Sequence, residues 1–118
     1  MSKKTGDKGE KIAVKHLQEK GYLILHQNWR HQHLELDIVA QKNNTLIIVE
    51  VKTGSTAIFG SPHEWVTRKK QKNIIKAAEA YISENNIQAE TRFDIVAILL
   101  TSSGNEINHI ENAFSALG

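Results

Sequence analysis

The chain has 118 residues, a formal net charge of +2 with its histidines neutral, and no cysteine. That length suits one domain, 1–118, with its own core, and the missing cysteine excludes disulfides and thiolate metal centres. No apolar run approaches the roughly 20 residues that cross a bilayer, and the charged opening MSKKTGDKGEK is unlike a secretory signal, so a cytoplasmic protein with no membrane partner is expected.

Asp7–Lys20 reads as a helix, with Ile12, Ala13, His16 and Leu17 at helical spacing and Gly21 as its stop. Asp7 and Glu10 form a variant of the capping box. Tyr22–Trp29 reads as a strand, Leu34–Gln41 as a second that alternates, and Thr45–Thr53 as a third rich in β-branched residues, with Lys42-Asn43-Asn44 as the turn between the last two. Gly54–Pro62 is a loop whose Phe59–Pro62 end could close over a substrate. Glu64–Asn85 follows as the longest helix, on the apolar positions Val66, Ile74, Ala77, Ala78, Tyr81 and Ile82. Thr91–Thr101 is almost continuously apolar, the mark of an interior strand, and Glu106–Ile110 is a short final strand after the turn Ser102–Asn105. The order αβββαββ predicts an α/β sandwich with a mixed central sheet.

Three strand positions are wrong for packing alone: Asp37, Glu50 and Lys52 interrupt otherwise apolar strands, and charges are seldom buried there unless paired or bound to metal. If Asn43-Asn44 is a two-residue hairpin loop, Lys42 pairs with Thr45, Asp37 faces Glu50 and Glu35 faces Lys52. Facing side chains stand about 4.5–5.5 Å apart at Cβ, so two carboxylates there repel each other until a cation separates them. Mg²⁺ or Mn²⁺, which take a few carboxylates plus water and phosphate oxygens, suit that gap, and Lys52 would orient water or stabilise charge on phosphorus. Glu35 and Lys52 could equally form a plain cross-strand ion pair.

Glu10 shares the stripe of Ala13 and Leu17, and Lys70 that of Val66, Ala77 and Tyr81, so each charge points inward toward a polar site. Glu10 could act on a metal or only cap its helix. Lys70, with the basic run Arg68-Lys69-Lys70 and Lys72, and Arg30 at the end of the first strand, are candidate phosphate contacts. Trp29 reads as packing. Asp94 shares the face of Val96 and Ile98 and is expected to satisfy a buried partner. The histidines show no metal-ligand spacing, and His31 and His33 are read as exposed.

Asp37, a dozen residues and then Glu50-Val51-Lys52 resembles the D…ExK motif of the restriction-endonuclease-like superfamily. GEKIAVKHLQEKGY, NWR, LELDIVA, IIVEVKT, FGSP, KKQK, AAEAYI, RFDIVAI and NHIENAF together resemble the YraN-like bacterial family, which is similar to archaeal Holliday junction resolvases. The resemblance implies an endonuclease-like fold, a DNA-processing role on branched DNA, a homodimer, and Glu10, Asp37, Glu50 and Lys52 at the positions of the resolvase catalytic set. It also implies a site-facing role for Gln71. Two positions depart from the family pattern: Leu34 stands where glycine is usual, and Thr53-Gly54 where an arginine often follows. The metal set expected on this reading is Asp37, Glu50, the main-chain carbonyl of Val51, and Glu10. The alternative is a domain of the same fold that binds nucleic acid, or serves as an adaptor, without cutting.

Overall fold

The hairpin forms in the register read from the sequence. Lys42 pairs with Thr45, Gln41 with Leu46, and so on to Ile38 with Val49, with Asn43 in the turn at a φ of 56°. The structure is a computed structural model that describes residues 3–54 and 65–116. The expected loop Gly54–Pro62, with its candidate flap, lies outside the described residues beyond Gly54, as do His63 and Glu64.

The elements are α1 (Lys3–Glu19), β1 (Leu23–His31), β2 (Leu34–Lys42), β3 (Thr45–Gly54), α2 (Arg68–Glu84), β4 (Glu90–Thr101) and β5 (Gly104–Phe114). Five strands form one sheet in the order β1-β2-β3-β4-β5. β3 and β4 run parallel and the other neighbours antiparallel, which makes the sheet mixed. A parallel pair needs a long crossover, and α2 lies within it. No helix among the described residues is long and apolar enough to cross a membrane.

Each helix covers one face of the sheet. On the α1 face Ala13, Leu17 and Tyr22 pack on Ile38, Ala40, Ile47, Val49, Val96 and Ile98. On the other, Ile74, Ala77, Ala78 and Tyr81 of α2 pack on Val39, Leu46, Ile48, Phe93 and Ile95. The strand period of two sorts the residues of β3: Ile47 and Val49 face α1, while Leu46 and Ile48 face α2.

Some element ends differ from the sequence reading. α1 starts at Lys3, so Asp7 lies inside the helix and the Asp7–Glu10 capping box does not exist. α2 starts at Arg68 rather than Glu64, because Thr67 takes the N-cap with an extended backbone and its hydroxyl accepts from the Lys70 amide at 3.2 Å. β5 runs on to Phe114, well past Ile110. Its polar residues sit on an exposed sheet edge, where alternation carries little hydrophobic signal.

Candidate active site

The site lies where two strands part. The β2–β3 ladder ends at Ile38 and Val49. Beyond it β2 stays paired with β1 as far as His31–Leu34, and β3 stays paired with β4 as far as Gly54–Leu99. Asp37 and Glu50 are the first residues past the fork. The side-chain alternation also slips here. Leu36 belongs to the core on the α2 face and Ile38, two residues on, to the core on the α1 face. In β1 the matching level holds Asn28, whose φ of 53° is in the left-handed region that asparagine tolerates.

Asp37 therefore does not simply oppose Glu50 across a continuing ladder. Its Oδ2 accepts from the Val51 amide at 2.9 Å, taking the place that a β2 carbonyl would fill, and its carboxyl is hydrogen-bonded to Glu50. Glu50 is buried at 5 % exposure. Burial, then the Asp37 charge and the hydrogen bond to it, push its pKa up to about 8, against the pull of Lys70 and Lys52. The Lys70 ammonium reaches over from α2 to within 3.6 Å of Glu50 Oε2.

Glu10 approaches from the other helix. A Cβ on Gly9 would stand 1.9 Å from Thr53 Oγ1, so only glycine lets α1 lie this close to β3, and the next residue reaches the fork. Burial first, and then Asp37, raise the Glu10 pKa, while a hydrogen bond with the Asn28 side chain works in the opposite direction. The fork thus brings together Glu10, Asp37, Glu50, Lys52 and Lys70, drawn from both faces of the sheet.

The donor set fits a hard divalent cation: carboxylate oxygens, with neither thiolate nor imidazole among them. A buried carboxyl that keeps its proton to about pH 8 beside a second acid is one whose negative charge lacks compensation. Among the described residues no three His, Asp or Glu side chains stand close enough to hold an ion by themselves. An ion held by Asp37 and Glu50 would therefore complete its shell with water and phosphate oxygens.

Other candidates have different partners. Glu35 pairs with Arg30 at 3.2 Å and not with Lys52, since the ladder that would have opposed them has ended. This also gives Arg30 a carboxylate where a phosphate was expected. The Gln71 amide donates to the Val66 carbonyl at 3.0 Å, just ahead of the helix, instead of facing the site. Arg68 and Lys72 are exposed and border a recess against Ser115 and Ala116, beyond the end of β5. Trp29 packs edge-on to Tyr81, at 5.2 Å between ring centroids. Asp94 is fully buried and bonded to Arg92, His109 and the Asn112 amide.

Gly9 and Asn28 escaped the sequence reading. A glycine inside a helical pattern is a signal for close approach, and Gly9 carried it. Asn28 carried none, because nothing in the run around it marks a left-handed residue inside a strand.

An αβββαββ chain around a mixed sheet, with each face covered by a helix, is compatible with a restriction-endonuclease-like fold. The chain belongs to the uncharacterised protein family UPF0102, whose model matches residues 9–98. It is 46% identical over 109 residues to a UPF0102 protein of Christiangramia forsetii, covering 92% of each chain. It is 48% identical over 109 residues to one of Bacteroides thetaiotaomicron, covering 92% of this chain and 90% of that one. With a UPF0102 protein of Alkaliphilus oremlandii it shares 44% identity over 117 residues, which is 97% of this chain and 100% of the relative.

Proposed function

We propose that this protein is a metal-dependent endonuclease of the restriction-endonuclease-like superfamily, acting on DNA in the cytoplasm. The observation that carries the reading is the fork itself: two hydrogen-bonded acids, Asp37 and Glu50, with Lys70 at 3.6 Å from Glu50 and Lys52 on the same strand. The D…ExK resemblance and the similarity to archaeal Holliday junction resolvases supply the substrate class, branched DNA or recombination intermediates, and a homodimer that would cut two strands.

In this reading Asp37 and Glu50 would hold Mg²⁺ or Mn²⁺, with Glu10 and the Val51 carbonyl as further candidates. The ion supplies charge neutralisation at phosphorus and a more acidic water. Asp37 keeps the Val51 peptide in place, because its other oxygen is bonded to that amide. Lys52 orients the attacking water or meets the charge growing on the phosphate. Lys70 would exchange Glu50 for a phosphate oxygen when DNA binds. Contacts of this kind are largely sequence-independent and weaken with salt. Arg68 and Lys72 remain candidates for backbone contacts farther along the duplex. Arg30 would first have to leave Glu35.

A second reading, nucleic-acid binding without cleavage, draws on one observation. Thr53, close to where the family resemblance would put an arginine, is buried beneath Gly9 and offers the phosphate no cation. One experiment separates the two readings. The protein is incubated with branched and linear DNA in Mn²⁺, beside Asp37→Ala and Lys52→Ala. Cleavage by wild type that both variants lose supports the nuclease. Binding without cleavage by wild type, unchanged in the variants, supports the binding module.

A further inference from the structure

Farther along α1 from Glu10, a histidine meets a second one from the last strand on the α1 face of the sheet. His16 Nε2 of α1 lies 3.2 Å from His109 Nδ1 of β5. The other nitrogen of His109, Nε2, is bonded to Asp94 Oδ2 at 2.8 Å. Asp94 is itself fixed by Arg92, with Nε and one terminal nitrogen each at 2.8 Å, and by the Asn112 amide at 3.0 Å. The buried carboxylate therefore accepts a hydrogen bond from the His109 Nε2–H, which leaves Nδ1 unprotonated beside His16 Nε2. This is the arrangement in which metal-ligating histidines are ordinarily held, with the non-ligating N–H on a carboxylate. The spacing fits as well. Ligand nitrogens about 2.0–2.1 Å from a tetrahedral zinc ion stand about 3.3 Å apart.

We propose that His16 Nε2 and His109 Nδ1 form a binding site for a borderline transition-metal ion of the Zn²⁺ class, with Asp94 as the residue that orients His109. Imidazole pairs favour Zn²⁺, Co²⁺, Ni²⁺ or Cu²⁺ over Mg²⁺, so this site differs in chemistry from the carboxylate fork. His109 is almost wholly buried, at 5 % side-chain exposure. His16 is half-buried, so the remaining coordination positions open to water on its side. Burial, then His109 and Lys20, hold the His16 pKa below its usual value against the pull of Glu19. The charges around the pair are mixed: Arg92 and Lys20 are positive, while Asp94, Glu19 and Glu111 are negative. The consequence is mechanical. An ion there ties α1, which carries Glu10, to the last strand of the sheet.

The test uses the full chain and zinc chloride alone, read by ¹H–¹⁵N spectra of the imidazoles and by thermal melts. The expected result is that Zn²⁺ moves the His16 Nε2 and His109 Nδ1 resonances together and Mg²⁺ moves neither. Zn²⁺ should also raise the Tm of wild type and of Asp37→Asn alike, since binding to the native state stabilises it. His16→Gln, made at a half-exposed position so that the core is kept, should weaken Zn²⁺ binding at least about tenfold and abolish the Tm gain. The proposal is overturned if those two nitrogens respond to pH but not to Zn²⁺, which would leave a plain hydrogen-bonded pair. It is equally overturned if Zn²⁺ shifts only His31 and His33, or if it stabilises His16→Gln as much as wild type. None of these readouts depends on whether the fork cuts DNA.

Discussion

Gly9 of α1 sits so near Thr53 of β3 that a Cβ there would meet Oγ1 at 1.9 Å and the threonine Cβ at 2.9 Å. In an exposed helix Gly→Ala stabilises by about 1 kcal/mol. Here the sign reverses. Gly9→Ala should cost about 1–3 kcal/mol through overpacking against backbone-proximal atoms that cannot swing away, and it should push Glu10 off the fork. Denaturant melts check the first point. Thr53→Ala in the same chain should recover only part of the loss, because it removes Oγ1 and leaves Cβ in contact. A Gly9→Ala protein as stable as wild type would mean that α1 does not lie this close to β3.

Glu50 makes stability depend on pH in an unusual direction for a carboxylic acid. Burial and the neighbouring Asp37 raise its folded pKa to about 8, above the unfolded value of about 4.3. The folded state therefore holds this proton more tightly, and the stability it contributes is complete below the unfolded pKa. That stability is lost as pH rises through about 8. Urea melts in a chelator should show a steady loss between those limits, amounting to several kcal/mol for a group so buried. Glu50→Gln should flatten the profile and be more stable than wild type at pH above 8. Added Mg²⁺ should restore wild type at high pH and leave Glu50→Gln unchanged.

The hairpin register and the two covering helices are legible in the chain because period-two alternation and a two-residue asparagine turn fix which residues share a face, and Asp37, Glu50 and Lys52 stand out as charges in apolar strands. The fork is not. Nothing in LELDIVA announces that its ladder with β3 stops at Ile38, at the level where β1 carries the left-handed Asn28. A ladder continued past Ile38 would put Glu35 opposite Lys52, whereas its partner is Arg30. The His16–His109 contact spans 93 residues, and no local pattern could bring the two together.

Asp37 carries two duties that a conservative change can separate. Its Oδ2 accepts from the Val51 amide, and its charge opposes that of Glu50. Asp37→Asn keeps an oxygen for the Val51 amide and offers an NH₂ to Glu50, while removing the like charge. We expect it to be more stable than wild type in a chelator at high pH by about 1–2 kcal/mol, with cleavage and Mn²⁺ binding abolished. Calorimetry of Mn²⁺ binding beside a urea melt reads both. A variant that loses stability and keeps Mn²⁺ affinity would show that Asp37 serves the backbone alone.

Asp94 should be the least replaceable acid in the chain. Burial acts to raise its pKa, but hydrogen bonds from His109, from Arg92 and from the Asn112 amide prevail and hold it below the ordinary aspartate value. With a depressed folded pKa, its stabilising contribution is complete above the unfolded value of about 3.9 and is lost as pH falls through the folded one. Asp94→Ala leaves the Arg92 guanidinium, among the described residues, with Tyr22 and Glu111, removes the partner of His109 Nε2, and strands the Asn112 amide. Breaking a buried pair in this way costs about 3–5 kcal/mol, far more than removing the exposed Arg30–Glu35 pair, where about 0–1 kcal/mol is expected. Urea midpoints of Asp94→Ala and Glu35→Ala at neutral pH make the comparison directly. Equal midpoints would mean that the Asp94 cluster is no more than a surface ion pair in its energetics, whatever its burial.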